Sequence, residues 1–493
     1  TATFWSNRQR LYADVKAALT STLGEGSLVL CHVSHVYETG FTAVPIVSWQ
    51  GLGPDMNFAL VHNSAHVTSG VNLSHTNGFN LGPGWQTSYS ARLIFNSSTS
   101  TTVVHDDGRM DTYTKVGGVW VPPAGVHDVL TQHLTSPRWT LDFKDQSSLE
   151  FNTLGRLAKV RDAQGNALVL TRDNSYKLVK ITDAAGRKLL FDYDSEGRLS
   201  KIIDLMADGN YTYDYSFNGY CGSPPCSDSE GGDEPDGSRL TANRVWEIEY
   251  DDDNRVWKII DPEEHSVQPQ VEVTYDSEGR IATIEDKDGD AYEYTYHSAS
   301  DALDTVTDPD TLSTQYTQEF DYTCPSSPNA TTYTDRRGKV WTYVWNSAKT
   351  LTTFTNPEGD EREFVFDSNK NLTSRKDGLD NEWTFTYDSK GNLVSTFTPL
   401  MPNTGQTPTP KSTRTYDSYN NLTSLSDAEG NTVAIDYATP ANTLPTLITM
   451  PADGEGNGEL EIALTYYTDG LLEDVTMLEV RTGRDVLLSH FEY

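Results

Sequence analysis

The residues able to do chemistry here are 11 histidines, 71 aspartates and glutamates, and four cysteines. His62 and His66 have the spacing of a zinc-protease pair. The residues between them are Asn63-Ser64-Ala65, without the glutamate that would serve as general base, and the surroundings read as strand and loop. His105 beside Asp106 has the composition of an acid–base pair, but Asp107-Gly108-Arg109 follows at once, which is the chemistry of a hairpin turn. Neither a Gly-x-Ser-x-Gly elbow nor a phosphate-binding glycine loop before a helix occurs. Carboxylates are as plentiful as in a glycosidase, yet no pair is singled out. Asp286, Asp288 and Asp290 around Gly289 resemble a calcium loop, as does the run Asp251-Asp252-Asp253. The glycine position and the closing bidentate glutamate are wrong for that site. Cys221 and Cys226 flank Gly-Ser-Pro-Pro in a loop and are candidates for a local disulfide, with a zinc site as the rival. Whether Cys31 and Cys324 pair stays open. The expectation is a chain without catalytic residues, cofactor or metal, and therefore not an enzyme.

The elements that would position such residues are mostly strands. Hydrophobic residues make up only 36% of the 493-residue chain, while 11% is aromatic, including 26 tyrosines. Rings with a polar tip suit thin β structure that is packed on one side and wet on the other. The exception is residues 1–25, where Leu11, Val15, Ala18, Leu19 and Leu23 fall roughly on one helical face, with Ser6 and Gln9 as a capping box and Gly24 as terminator. Strands are expected over Ser27–His35 and Phe41–Trp49, and Gly82-Pro83-Gly84-Trp85 reads as a tight turn presenting a large ring. The net charge of −34 argues against nucleic acid and anionic membranes as partners. No run of about 18 apolar residues is long enough to span a bilayer. The chain starts at Thr1 without a methionine or signal sequence and ends on Phe491-Glu492-Tyr493, which looks like the start of a strand. A processed product with further sequence on either side is expected.

From about residue 140 the sequence is periodic, with a spacing of about twenty-one residues. Tyr193-Asp194-Ser195-Glu196-Gly197-Arg198-Leu199, Tyr275-Asp276-Ser277-Glu278-Gly279-Arg280-Ile281 and Tyr387-Asp388-Ser389-Lys390-Gly391-Asn392-Leu393 are the best copies. Weaker copies begin at Phe151, Tyr250, Phe366 and Tyr416. Each unit reads as an aromatic ending one strand, a tight turn with glycine or asparagine in the left-handed region, a short strand, and a second turn. One hairpin cannot bury its own face, so successive hairpins must pair into a continuous twisted sheet. The stretches 218–240 and 399–411 interrupt the period as loops.

These units resemble the YD-repeat, or Rhs, family, whose relatives include teneurins and the shell components of insecticidal toxin complexes. The section Asn80-Leu81-Gly82-Pro83-Gly84-Trp85 with Asp107-Gly108 looks like the domain that introduces such repeats in bacterial Rhs proteins. The resemblance implies an all-β array of hairpins coiled as a spiral or hollow shell, joined to the short N-terminal helix. The division is 1–60 as a cap, plug or assembly segment, 61–140 as the introductory domain, and 141–493 as the spiral. Family members often enclose a C-terminal toxin behind an Asp-Pro, glycine-rich cleavage motif. Asp261-Pro262 and Asp308-Pro309 lack that context. The repeats also look too few to close a complete cocoon. The expectation is a secreted or cell-surface scaffold that forms a shell or filament by self-association or by enclosing or displaying another protein. The alternatives are the carrier portion of a toxin and a glycan- or receptor-binding adhesin. The signature positions are structural: Tyr193, Asp194, Gly197, Arg198, Tyr275, Asp276, Gly279, Arg280, Tyr387, Asp388 and Gly391.

Overall fold

The computed structural model describes residues 30–492 except 35–38, 50–52, 65–66, 68–78, 107, 206–243, 263–270, 298–301, 310–316, 322–329, 336, 348–349, 398–409, 439–442, 452–459, 469 and 480–483. The expected N-terminal helix, His66, Cys221, Cys226 and Cys324 lie outside the described residues, as does most of the two interrupting loops. Every described element is a strand.

Strands β1 (Leu30–Ser34), β2 (Thr39–Trp49), β3 (Met56–Asn63) and β4 (Trp85–Thr87) form one antiparallel sheet, which runs across residue 60. A second sheet joins β5 (Arg92–Ser97), β6 (Ser100–Val104), β7 (Met110–Val116) and β8 (Val119–Val121). The β6–β7 connection is the expected hairpin turn. The His105 amide donates to the Arg109 carbonyl at 2.8 Å, and Gly108 has φ of +86°.

A third, much longer sheet starts at β9 (Val129–Gln132) and β10 (Trp139–Asp142) and ends at β37 (Arg484–His490). Each strand pairs antiparallel with its neighbours in the chain, so the sheet is a strip of hairpins laid side by side. One edge of the strip carries the turns that follow the tyrosines, and the other carries the intervening turns. Bulges recur along the tyrosine edge, as between Asp192 and Tyr193, Thr274 and Tyr275, Thr386 and Tyr387, and Thr415 and Tyr416. An extra residue repeated along one edge bends a strip in one sense.

The strip therefore curls round on itself. Its registers nevertheless run only between chain neighbours: β9 is registered with β10, and β37 with β36 (Leu472–Glu479). The strip meets itself where turns meet turns. On the far edge of the strip, Lys144 Nζ donates to the Gly391 carbonyl at 2.7 Å, and Gln146 Nε2 to Asn421 Oδ1 at 2.8 Å, both on the tyrosine edge. Gln164 Nε2 donates to Thr443 Oγ1 at 2.5 Å. The geometry is that of a spiral whose second coil sits on the edge of the first. One turn of the spiral needs only edge contacts between turns and no strand register.

The two smaller sheets fill the first coil. Phe58, Phe79, Trp85, Leu93 and Tyr113 belong to one core with Phe151, Leu178, Phe191, Ile202, Val256 and Ile284 of the strip. The filling touches both edges. The Leu93 amide donates to the Gly155 carbonyl at 2.7 Å, and the Leu199 amide to the Phe79 carbonyl at 3.0 Å, on the tyrosine edge. The Arg187 guanidinium lies 5.1 Å over Trp49 on the other.

Candidate functional site

The recurring chemical unit is the turn after each aromatic. In the copy at Tyr193 the Asp194 amide donates to the Arg198 carbonyl at 2.9 Å, and the Gly197 amide to the Asp194 carbonyl at 3.0 Å. Asp194 Oδ1 accepts from the Glu196 and Arg198 amides at 3.0 and 2.8 Å, and Oδ2 accepts from Arg198 Nε at 2.7 Å. One carboxylate thus satisfies the turn's donors and holds its cation, the strong charge-assisted form of the bond. Asp276 repeats this with Arg280. Gly197, Gly279 and Gly391 have φ of +80°, +83° and +72°; Asn254, Asn420 and Lys370 occupy the same place in weaker copies at +61°, +70° and +61°.

The turns are linked to one another. Arg198 sits 4.6 Å over the Tyr250 ring of the next unit, Arg255 4.4 Å over Tyr275, and Arg280 4.5 Å over Tyr296. The tyrosine hydroxyl reaches back to the preceding unit: Tyr193 to the Leu178 carbonyl at 2.7 Å, Tyr250 to that of Leu199 at 2.6 Å, and Tyr275 to that of Val256. Tyrosine therefore does work that phenylalanine cannot, since its ring receives the cation and its hydroxyl pins the neighbour. Burial lifts the Tyr193, Tyr250 and Tyr275 phenols well above their usual range. Along the outer face, threonine pairs such as Thr274–Thr283 (2.6 Å) and Thr295–Thr305 (2.7 Å) form a hydroxyl ladder.

Residues 130–338 match the family model for the teneurin YD-shell, and residues 366–398 match that for the RHS repeat. Over those residues the chain is similar to YD-repeat proteins. A search of the curated proteins finds no match. Among solved structures, TcdB2-TccC3-TEV aligns over 90% of this chain and 27% of its own length at 10% identity, with a TM-score of 0.24. The Tc holotoxin pore of Photorhabdus luminescens aligns over 91% and 26% at 10% identity, with a TM-score of 0.23. A porin-like protein from Bacteroides uniformis aligns over 45% and 90% at 17% identity, with a TM-score of 0.15. The chain spans about a quarter of the length of the Tc structures it aligns with.

The YD signature changes along the strip. In the second coil the arginine gives way to asparagine: Asn371, Asn392 and Asn421 donate through Nδ2 to Asp367, Asp388 and Asp417 at 3.0, 2.9 and 2.9 Å. These are the turns on which the first coil rests. Asn392 and Asn421 are only 8% exposed although they lie on an edge. His127 packs so closely on Gly391 that a Cβ there would lie 2.4 Å from its ring. A flat neutral side chain suits such a seam, whereas a stacked guanidinium would stand in the way. Burial works against the ionised Asp388, but hydrogen bonds from Asn392 and Lys390 outweigh it and hold the carboxyl below its usual range.

The other expected residues resolve into structure. Trp85 does not present its ring outward: it is 1% exposed and donates from Nε1 to the Tyr275 hydroxyl at 2.8 Å, because the glycine turn presses on the repeats. A Cβ on Gly82 would lie 2.4 Å from the Asn254 carbonyl oxygen. His62 packs edge-on against Trp85 with centroids 5.2 Å apart. His105 bonds Asp111 at 2.8 Å across the β6–β7 hairpin, and Arg109 reaches the same carboxylate at 2.5 Å. Asp286 caps its turn by accepting from the Asp288 and Asp290 amides. Asp251 does so with Asp253 and Arg255. Among the described residues, three or more His, Cys, Asp or Glu side chains are nowhere grouped to hold a metal ion. No described helix is long and apolar enough to cross a membrane.

Proposed function

We propose that this chain is a length of shell wall: a YD-repeat spiral that is non-enzymatic, acts outside the cell, and encloses a partner polypeptide. One observation carries the reading. Val256, Ile259, Ile281 and Ile284 on the inner face are fully covered by the chain's own N-terminal sheets. The same positions later in the strip, such as Leu372, Trp383, Leu422 and Ile435, are only half-buried. Apolar area left wet over many strands marks a surface meant to be covered. The chain then divides by role into a plug, running to about the start of β9, and a wall beyond it.

Negative-stain electron microscopy of the purified chain over a range of concentrations tests this. Discrete hollow particles of constant length support the wall. A second reading is a filament, for which Val486, Leu487 and Leu488 of β37, 43, 56 and 51% exposed, would supply apolar contact area. Fibres that lengthen with concentration would support it and overturn the wall.

A further inference from the structure

The inner face between residues 330 and 414 has a chemistry unlike the rest of the chain. Tyr333 opposes Trp341, Tyr343 opposes Phe354, Phe354 opposes Arg362, Phe364 opposes Arg375, and Arg375 opposes Trp383. The Tyr333 and Trp341 rings stack with centroids 5.4 Å apart. Arg362 lies 5.9 Å over Phe354, and Arg375 lies 4.5 Å over Trp383. The same face continues through Phe385 and Thr396 to Arg414. The strand carboxylates Glu361, Glu363 and Glu382 alternate onto the opposite face, facing Thr355, Lys376 and one another's neighbours.

Composition does not explain this. Acidic residues outnumber basic ones by 71 to 37, and several arginines elsewhere are paired with carboxylates. Arg198, Arg255 and Arg280 pair with the aspartate of their own turn, and Arg244 with Asp204. Among the described residues neither Arg362 nor Arg375 forms an ion pair at hydrogen-bonding distance, although Arg375 is near enough to Asp377 to help hold its carboxyl below the usual range, and Arg414 meets Thr396 at 3.4 Å. Beside Arg362 opens a cavity of about 480 Å³. Arg337, Lys339, Trp341 and Phe354 line it, with Glu358 as its carboxylate. Arg337 is tied to Asp335 at 3.2 Å and Lys339 to Glu358 at 3.9 Å. A guanidinium stacked on a ring keeps its in-plane N–H edge directed away from the ring, the geometry that takes a carboxylate by two parallel bonds. A half-dry aromatic floor strengthens that contact relative to water.

We propose that this face is the docking strip for an acidic polypeptide segment, with carboxylates on Arg362 and Arg375 and apolar side chains against Trp341, Phe354 and Trp383. The inference rests on the wall reading, in which the face looks onto an enclosed partner. It commits to a peptide because the charged stripe crosses several strands, a longer footprint than one sugar ring occupies.

The test uses the full chain and three labelled probes followed by fluorescence anisotropy: a peptide of alternating glutamate and leucine, its lysine–leucine counterpart, and a sulfated oligosaccharide. The expected result is that the acidic peptide binds and quenches tryptophan fluorescence, and that binding weakens with salt. In the double variant Arg362→Glu/Arg375→Glu it should fall by about tenfold or more, while the basic peptide gains affinity. The variant Arg362→Lys/Arg375→Lys should keep part of the binding, and unchanged thermal unfolding will show that both variants fold. Acidic-peptide binding that survives charge reversal, or preference for the oligosaccharide, overturns the proposal. Hollow particles without peptide binding sink this inference alone, whereas fibres sink the wall reading beneath it.

Discussion

The strip from residue 157 to 306 and the strip from 330 to 414 are built from the same hairpin, yet their inner faces differ. In the first, the inward positions are mostly Leu, Ile and Val, among them Leu178, Ile202, Val256, Ile259 and Ile284, each fully buried under the plug. In the second they include Tyr, Trp, Phe and Arg beside leucines such as Leu372, most of them half-buried and Arg362 exposed. Aliphatic side chains gain about 1.5–3 kcal/mol each by full burial and nothing comparable on a wet surface. Rings with a polar tip and arginine stems tolerate partial exposure. From Leu422 through Leu425, Ile435, Ile448 and Ile462 the inward positions return to aliphatic residues without the plug's cover. The hairpin turn thus builds the same strip throughout, while the character of its inward residues changes from one stretch to the next.

Removing the plug's anchor is the hardest blow to this contrast. Trp85→Ala empties a buried ring site and the bond to Tyr275, and should cost about 3–5 kcal/mol. The matching change in the open wall, Trp383→Ala, should cost about 1 kcal/mol or less. Urea unfolding of the two variants measures the difference, and equal losses would mean that the plug is not what stabilises the first coil.

The seam gives the next largest effect. Gly391→Ala must hold φ at +72° and push the His127 ring aside, a loss of about 2–3 kcal/mol. Gly430→Ala, at φ of +88° with open space around it, isolates the backbone part, about 1–2 kcal/mol. Thermal unfolding should rank Gly391 first; the reverse order would remove the seam from the account.

The tyrosine ladder should respond more weakly. Tyr250→Phe loses the bond to Leu199 in the covered half, about 1 kcal/mol. Tyr416→Phe loses the 3.1 Å bond to Leu393 in the open half and should cost less than half as much, since water replaces the partner. Chemical denaturation of both variants checks the ratio.

The smallest effect is in acid. At Asp367 and Asp388 burial opposes ionisation, but hydrogen bonds from Asn371 and Asn392 hold both carboxyls below the usual aspartate range. Such groups bind protons more tightly when unfolded. Their contribution is complete above the unfolded value, about 3.9, and is lost as pH falls through the lower folded values. Urea midpoints taken from neutrality into acid should hold steady and then drop. Asp388→Asn should flatten that drop, and an unaltered profile would exclude Asp388 as a contributor.

Much of the wall was legible in the residues. Tyr193, Asp194, Gly197 and Arg198 recur at a spacing that only a hairpin step satisfies, and the turn at Asp194 has the hydrogen bonds its composition implies. Local side-chain chemistry decides such turns, so local sequence reveals them. The cation–tyrosine ladder was not legible, because the ring over Arg198 belongs to Tyr250, beyond an interrupting loop. Lys370 in the left-handed region was equally hidden, since its neighbours, and no preference of its own, hold it there.

The sequence by itself determined the strand period, the turn chemistry, the acidic surface and the alternation that gives the sheet two faces, all consequences of contacts within a few residues. Only the tertiary structure decided that Trp85 turns inward, that Gln146 meets Asn421, and that one length of inner face is filled and another left open. Those outcomes depend on where a coiling strip returns to itself. That position is the sum of small bends over hundreds of residues, which no single repeat encodes.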